Sequence, residues 1–194
     1  DSIAGFSYDD DSSAFKGSIV KDWLDNEFYP TLNKNTSIVV EAPYCNQLVT
    51  SKTDTRTTCD SNAVVSNRVG LLTLDEYNRT GGIDNFLNTG SYFYTMTKYK
   101  DKAVMVVDKD GIVRAQKENV YATYAVRPVI TINKNIKFVS GNGSKENPYR
   151  LETDESATSG TKLNDRFAGE YVMFANQKWR IIDSKGQNTK LVLD

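Results

Sequence analysis

Apolar residues recur at helical spacing strongly in one stretch, between Ser18 and Tyr29. There Ile19, Trp23, Leu24 and Phe28 fall on one face, and Asp22, Asp25 and Glu27 lie off it. Ser18 is placed as the N-cap, and Pro30 is expected to stop the helix because the residue before a proline is pushed towards extended geometry. Elsewhere the pattern is one of short strands. Ser37 to Val40 is a β-branched run, and Arg68 to Leu74 reads as a buried strand entering a helical turn. Thr73 and Glu76 form a capping box at that turn, which Gly81 and Gly82 end. Ser91 to Tyr99 alternates with period two, with Tyr92, Tyr94 and Met96 on one side and Phe93, Thr95 and Thr97 on the other. Ala103 to Ala115 predicts a hairpin about the turn Asp108-Lys-Asp-Gly111. Tyr121 to Ile132 predicts a strand interrupted at Arg127-Pro128. Since proline offers no ladder donor, that strand is expected at an edge or with a bulge. Ile136 to Val139 leads into a turn cluster, Ser140 to Ser144, and Asn147 to Leu151 closes the unit.

The polar, small residues from Thr153 to Lys162 read as a linker. Beyond them, Glu170 to Leu193 predicts a three-stranded meander with apolar positions that include Tyr171, Phe174, Trp179, Ile181 and Leu191. So small a meander cannot cover both of its faces and must pack on something else. The expected organisation is a core over 1–152, a linker over 153–168 and a meander over 169–194.

Composition narrows the function. The 194 residues carry 24 basic and 25 acidic side chains, a net charge of −1, so nothing is built to neutralise a nucleic-acid backbone. No apolar run approaches the roughly 20 residues of a membrane-spanning helix, so no membrane insertion is expected. No leader opens the chain at Asp1, which fits a mature or excised fragment as well as a cytosolic protein. Histidine is absent, which excludes Ser-His-Asp and Cys-His chemistry and removes the commonest metal ligand. Cys45 and Cys59 flank a polar loop. Two thiols without histidine are too few for zinc, and the loop has little apolar content of its own, so the pair reads as a disulfide in an oxidising compartment rather than as two free thiols. Asp9, Asp10 and Asp11 read as a solvated loop, and Asp108 and Asp110 as a tight turn, since neither set completes a calcium loop.

Several strings together resemble a family of bacterial extracellular repeat domains of unknown function. They are Gly169-Glu-Tyr-Val-Met-Phe with Trp179-Arg-Ile-Ile182, Ser18-Ile-Val-Lys-Asp-Trp-Leu, Val69-Gly-Leu-Leu-Thr-Leu-Asp-Glu-Tyr77, Val126-Arg-Pro-Val-Ile130, and Gly141-Asn-Gly-Ser with Asn147-Pro-Tyr149. The resemblance implies an α+β, C-type-lectin-like fold shared with formylglycine-generating proteins, with short antiparallel strands, one main N-terminal helix and a C-terminal meander. In that family the Tyr-Val-x-Phe and Trp-Arg-Ile-Ile strands precede the helix, whereas here they come last. Reading Lys190-Leu-Val-Leu-Asp194 into Asp1-Ser-Ile-Ala-Gly-Phe restores the order, so the chain resembles a segment cut from a tandem array. Formylglycine-generating enzymes use paired reactive cysteines on copper. Cys45 and Cys59 sit instead in a polar loop, and no catalytic residue, metal or cofactor is carried over.

The expected function is a non-catalytic structural or adhesive repeat module of a secreted or cell-surface protein, partnered by neighbouring copies. Tyr171, Phe174, Trp179, Ile181 and Leu191 are the candidate assembly residues, with donation of the meander between chains favoured over closure on the same chain. The alternative is a lectin-like module that contacts carbohydrate or protein through Tyr92, Tyr94, Tyr121 and Tyr124, although tyrosines at strand spacing also suit cross-strand packing. An enzyme using a carboxylate pair, Asp25 with Glu27 or Asp75 with Glu76, is the third reading.

Overall fold

The computed structural model describes residues 2–4, 15–32, 38–56, 58–82, 85–100, 103–117, 123–151, 160–184 and 187–194. Ser18 caps the first helical segment, its hydroxyl accepting from the Lys21 N–H at 3.0 Å. The segment runs as α1 (Ile19–Trp23), a π-helical stretch (Leu24–Phe28) and a last turn, α2 (Tyr29–Thr31). Its buried face is Val20, Leu24, Phe28 and Leu32, whereas Ile19 is 51 % exposed and Trp23 only partly covered, which corrects the expected stripe. Positions four apart drift around a 3.6-residue helix, and the wider π turn takes up that drift. The helical backbone continues through Pro30 to Thr31, so the helix ends just beyond the proline rather than before it.

The strands follow in chain order. The first six are β1 (Ser2–Ala4), β2 (Val39–Val40), β3 (Ala42–Cys45), β4 (Leu48–Val49), β5 (Val64–Asn67) and β6 (Val69–Leu71). Helix α3 (Leu74–Arg79) comes next, then β7 (Phe93–Tyr99), β8 (Ala103–Val107), β9 (Val113–Lys117), β10 (Thr123–Ala125) and β11 (Pro128–Ile132). The last six are β12 (Lys137–Ser140), β13 (Tyr149–Leu151), β14 (Thr161–Lys162), β15 (Tyr171–Phe174), β16 (Gln177–Asp183) and β17 (Thr189–Leu193). One sheet has the order β1-β10-β7-β8-β9, with β4 also on β7. A larger one runs β14-β12-β13-β15-β16-β17-β11-β2, with β6 also on β11, and β3 pairs with β5. The class is α+β. Most pairs are antiparallel as expected, but β10 with β7, β4 with β7, and β13 with β15 are parallel.

The segment read as one strand over Tyr121 to Ile132 is two strands in two sheets, with Val126 and Arg127 as the crossing. Strand β11 is not an edge. It holds β17 on one side and β2 and β6 on the other, and Pro128 is tolerated because it is the first residue of the strand. Both faces of β7 are buried from Phe93 to Thr97, so its alternation does not mark an inside and an outside. The capping box at Thr73 and Glu76 forms as expected.

The meander over 169–194 sits in the middle of its own chain's sheet, β17 against β11 and β15 against β13. Ala175 and Asn176, with φ of 51° and 60°, form the two-residue turn that suits a tight hairpin. Trp179 is fully buried and meets Phe28 edge-on at 6.3 Å, joining the meander to the first helical segment. The polar run assigned as linker is structured at its end: Thr161 and Lys162 pair with β12, and the buried Leu163 lies in a 3-10 turn.

Gly70 on β6 lies against the ring of Tyr44, whose hydroxyl donates to the Val129 carbonyl at 3.0 Å. A Cβ at position 70 would stand 2.5 Å from that ring. Gly70→Ala is therefore expected to destabilise the protein by about 1–3 kcal/mol, read from the midpoint of urea unfolding. An unchanged midpoint would contradict this packing.

Candidate functional site

Cys45 and Cys59 are bonded, with Cα atoms 5.7 Å apart. The loop they close is anchored at further points. Gln47 donates to Asp60 at 2.6 Å and accepts from the Asp60 N–H at 3.3 Å, while Asn78 of α3 donates to the carbonyls of Lys52 (3.1 Å) and Asp54 (2.7 Å). Within the loop, the Arg56 guanidinium grips Asp54 and holds its carboxyl below the usual range. Polar side chains and one covalent bond thus hold the loop where apolar contacts are few.

The hairpin turn is similarly fixed. The Asp108 carboxylate is buried and accepts from the N–H groups of Asp110 and Ile112, both at 2.9 Å, and from Arg114 Nε at 2.6 Å. Burial alone would raise its pKa, but these donors outweigh burial and hold it below the ordinary carboxylate value. Gly111, at φ +78°, supplies the left-handed residue of the turn, and its carbonyl accepts from the buried Tyr77 hydroxyl at 2.7 Å. Burial pushes that phenol up to about 12.

Three of the four candidate tyrosines come together. Tyr92 and Tyr124 stack at 5.2 Å, and Tyr94 meets Tyr124 at the same distance, tilted by 58°. Tyr94 is only 2 % exposed, and the Tyr124 hydroxyl donates to Gln116 at 2.9 Å. The cluster spends most of its faces on itself, leaving Tyr92 as its accessible member. Tyr121 lies outside the described residues, as do Asp9, Asp10 and Asp11. Among the candidate assembly residues, Phe174, Trp179, Ile181 and Leu191 are buried in their own chain, and Tyr171 is partly covered. The paired carboxylates do not converge on a cleft. Asp25 binds Lys21 and Asn67, Asp75 binds Arg79, and Glu76 caps α3 and pairs with Lys190. Among the described residues no cluster of three His, Cys, Asp or Glu side chains is placed to hold a metal.

One open groove was not foreseen. It lies between α3, the turn after β14 and the end of β16, and is lined by Arg79, Phe86, Asn164, Arg166, Phe167 and Ser184 among others. Phe167 projects from its rim, 70 % exposed. It opens a four-residue turn closed by the Glu170 N–H on the Phe167 carbonyl, with Gly169 at φ +93° in the third position, where such a turn requires glycine. Glu170 locks that turn: its carboxylate accepts from the Phe167 N–H at 2.8 Å and from the Tyr149 hydroxyl at 3.0 Å. Behind it, the Arg180 guanidinium lies between Phe86 and Tyr171, 4.7 and 4.3 Å from their centroids. Asn164 is buried at the groove floor, and its side-chain oxygen has no hydrogen-bond partner. In sequence, Phe167 sat in the stretch assigned as linker, and only its standing as a lone aromatic there could have flagged it.

No protein-family model, curated protein or solved structure matches the chain.

Two outcomes test this geometry. Reducing the disulfide is expected to lower stability by roughly 3 kcal/mol on the loop-entropy estimate. Denaturant titrations with and without reductant measure the effect, and thiols that alkylate in the native, unreduced protein would contradict the bond. Asp108, with its depressed folded pKa, contributes stability above its unfolded value of 3.8 that is lost as pH falls through the lower folded value. The melting temperature of the wild type should therefore fall more steeply below about pH 4 than that of Asp108→Asn. Parallel acid profiles would show that the carboxylate is not held as described.

Proposed function

We propose that this chain is a non-catalytic extracellular module with a C-type-lectin-like fold, structural or adhesive in role, whose contact surface is the groove beneath Phe167. One observation carries the adhesive reading. A large aromatic side chain is held out in solvent by a turn with a glycine, a carboxylate clamp and a tyrosine behind it. A core residue would not need that scaffold, and a contact residue would, because a preorganised aromatic loses little freedom on binding. The groove mixes aromatic faces with amide, hydroxyl, guanidinium and carboxylate groups, the last from Glu76, Asp165 and Asp183, as small polar ligands and protein loops both require. Support for an extracellular setting comes from the disulfide, which persists in oxidising compartments. No helix among the described residues is long and apolar enough to cross a membrane.

The ionisable residues support a non-catalytic role, because the buried ones are spent on turns, caps and strand ends. The tyrosine cluster is the weaker contact surface, since Tyr94 is internal and Tyr124 is stacked. The test is retention on a glycan array and on a panel of immobilised extracellular proteins, for the wild type and for Phe167→Ala. Loss of an exposed side chain should change stability by no more than about 0.5 kcal/mol. The expected result is a retained wild type and an unretained, equally stable variant. Equal retention of the two would remove the groove from the function.

A further inference from the structure

A second pocket, of about 260 Å³, lies between the π-helical stretch, the crossing at Val126 and Pro128, and the start of β16. It shares no lining residue with the groove beneath Phe167. Its aromatic wall follows from the π turn. The Tyr29 N–H donates to the Leu24 carbonyl five residues back, and this wider turn brings Trp23 and Phe28 together, their rings 5.5 Å apart. At 3.6 residues per turn, side chains five apart would stand on different faces. Phe28 is buried and meets Trp179, whereas Trp23 keeps part of its surface open to solvent. Single π turns within α-helices occur frequently at functional sites, and this one shapes a pocket.

Two acceptors accompany that wall, and neither has a partner among the described residues. Gln177 lines the pocket, and its Oε1 is shielded from solvent and makes no hydrogen bond. The terminal amide torsion of glutamine is soft, so a turn of the amide plane presents that oxygen to the pocket. Glu27 stands exposed at the rim and makes no ion pair or hydrogen bond there, unlike Asp25, which Lys21 and Asn67 hold. No lysine or arginine lines the pocket. An aromatic face, a free carboxylate and an unpaired amide oxygen therefore meet with no cation among them. We propose that this pocket binds a primary ammonium on a short unbranched stem, the chemistry of a protein lysine or a free alkylamine. The stem packs on Phe28, Val126 and Pro128, and the charged end lies against the Trp23 face, where the ring quadrupole attracts a cation. Its three N–H donors serve the Glu27 carboxylate and the Gln177 oxygen. An anion would be repelled by Glu27, and a purely apolar ligand would leave Gln177 buried and unsatisfied. This inference is independent of what the Phe167 groove binds.

The chain has only two tryptophans, Trp23 and Trp179, so their indole N–H signals in proton–nitrogen correlation spectra report directly on the pocket. The full chain is titrated at neutral pH with butylamine, with 1-butanol and with Nα-acetyl-lysine methylamide, and Trp23→Phe assigns the two signals. Butylamine is expected to shift the Trp23 signal saturably and to leave Trp179, whose Nε1 donates to the Phe174 carbonyl, nearly in place. Butanol has the same size without the charge and is expected to bind roughly threefold or more weakly. Glu27→Gln, at an exposed position, should raise the Kd for butylamine roughly threefold, as loss of an ion pair near solvent does. Gln177→Met should raise it too, while melting no lower than the wild type, because it removes a buried oxygen that bonds nothing. A saturable shift with the lysine derivative assigns the site to a protein lysine, and one with butylamine alone assigns it to a free amine. No saturable shift with either amine, equal binding of butanol, or a Glu27→Gln variant that binds like the wild type would each overturn the proposal.

Discussion

The backbone pairing of strand β11 is the interaction on which most of the remaining structure depends. Its five residues are all buried, and both of their edges are taken, by β17 on one side and by β2 and β6 on the other. Removing any partner would expose unpaired N–H and C=O groups in an apolar interior, which costs more than the bonds themselves contribute. Segments from the first helical region, the cysteine loop and the meander therefore converge on one strand. Gly70 is required at the crossing because Tyr44 must pass over β6 to reach the Val129 carbonyl.

Arg127 stands where the chain leaves one sheet for the other. Its guanidinium is buried, lies 5.0 Å from the Phe93 ring centroid, and donates to the carbonyls of Leu193 and Leu87 at 3.1 and 2.6 Å. Burial lowers its pKa to about 10, far from enough to discharge it at neutral pH. A permanent buried charge needs acceptors, and the carbonyls of Leu193 and Leu87 serve Nε and Nη1, while Nη2 is left without a partner. One side chain thus ties β17, the turn before β7 and β7 itself to the crossing. Lys190 does similar work lower on β17, pairing with Glu76 and lying 4.8 Å over the Tyr44 ring.

The outer features are held by different means. A disulfide, an amide–carboxylate pair and contacts from α3 fix the cysteine loop. A glycine turn and the Glu170 clamp fix Phe167. Both segments have little apolar surface to bury, so their order comes from covalent and polar constraint. The proposed contact surface is consequently stiff on the side facing solvent, while the tyrosine stack near β10 is turned mostly inward.

Local physics was readable in the residues themselves. The Ser18 cap, the Thr73–Glu76 capping box, the Asp108–Gly111 turn and the three meander strands each depend on a few adjacent side chains, and so does the α+β class that they add up to. The bond between Cys45 and Cys59 was legible because a polar loop between two cysteines has little else to hold it. Partner choice was not legible. Pro128 suggested an edge, yet its position as first residue let β11 take partners on both sides. Ile19 matched helical spacing, yet a π turn moved the buried face to Val20, Leu24, Phe28 and Leu32. Thr161 and Lys162 were indistinguishable from linker until β12 paired with them, and Phe167 belonged to no pattern at all. Spacing along a chain records what neighbours in sequence need, whereas strand order and register are set by contacts between residues far apart in sequence. Those only the tertiary structure decided.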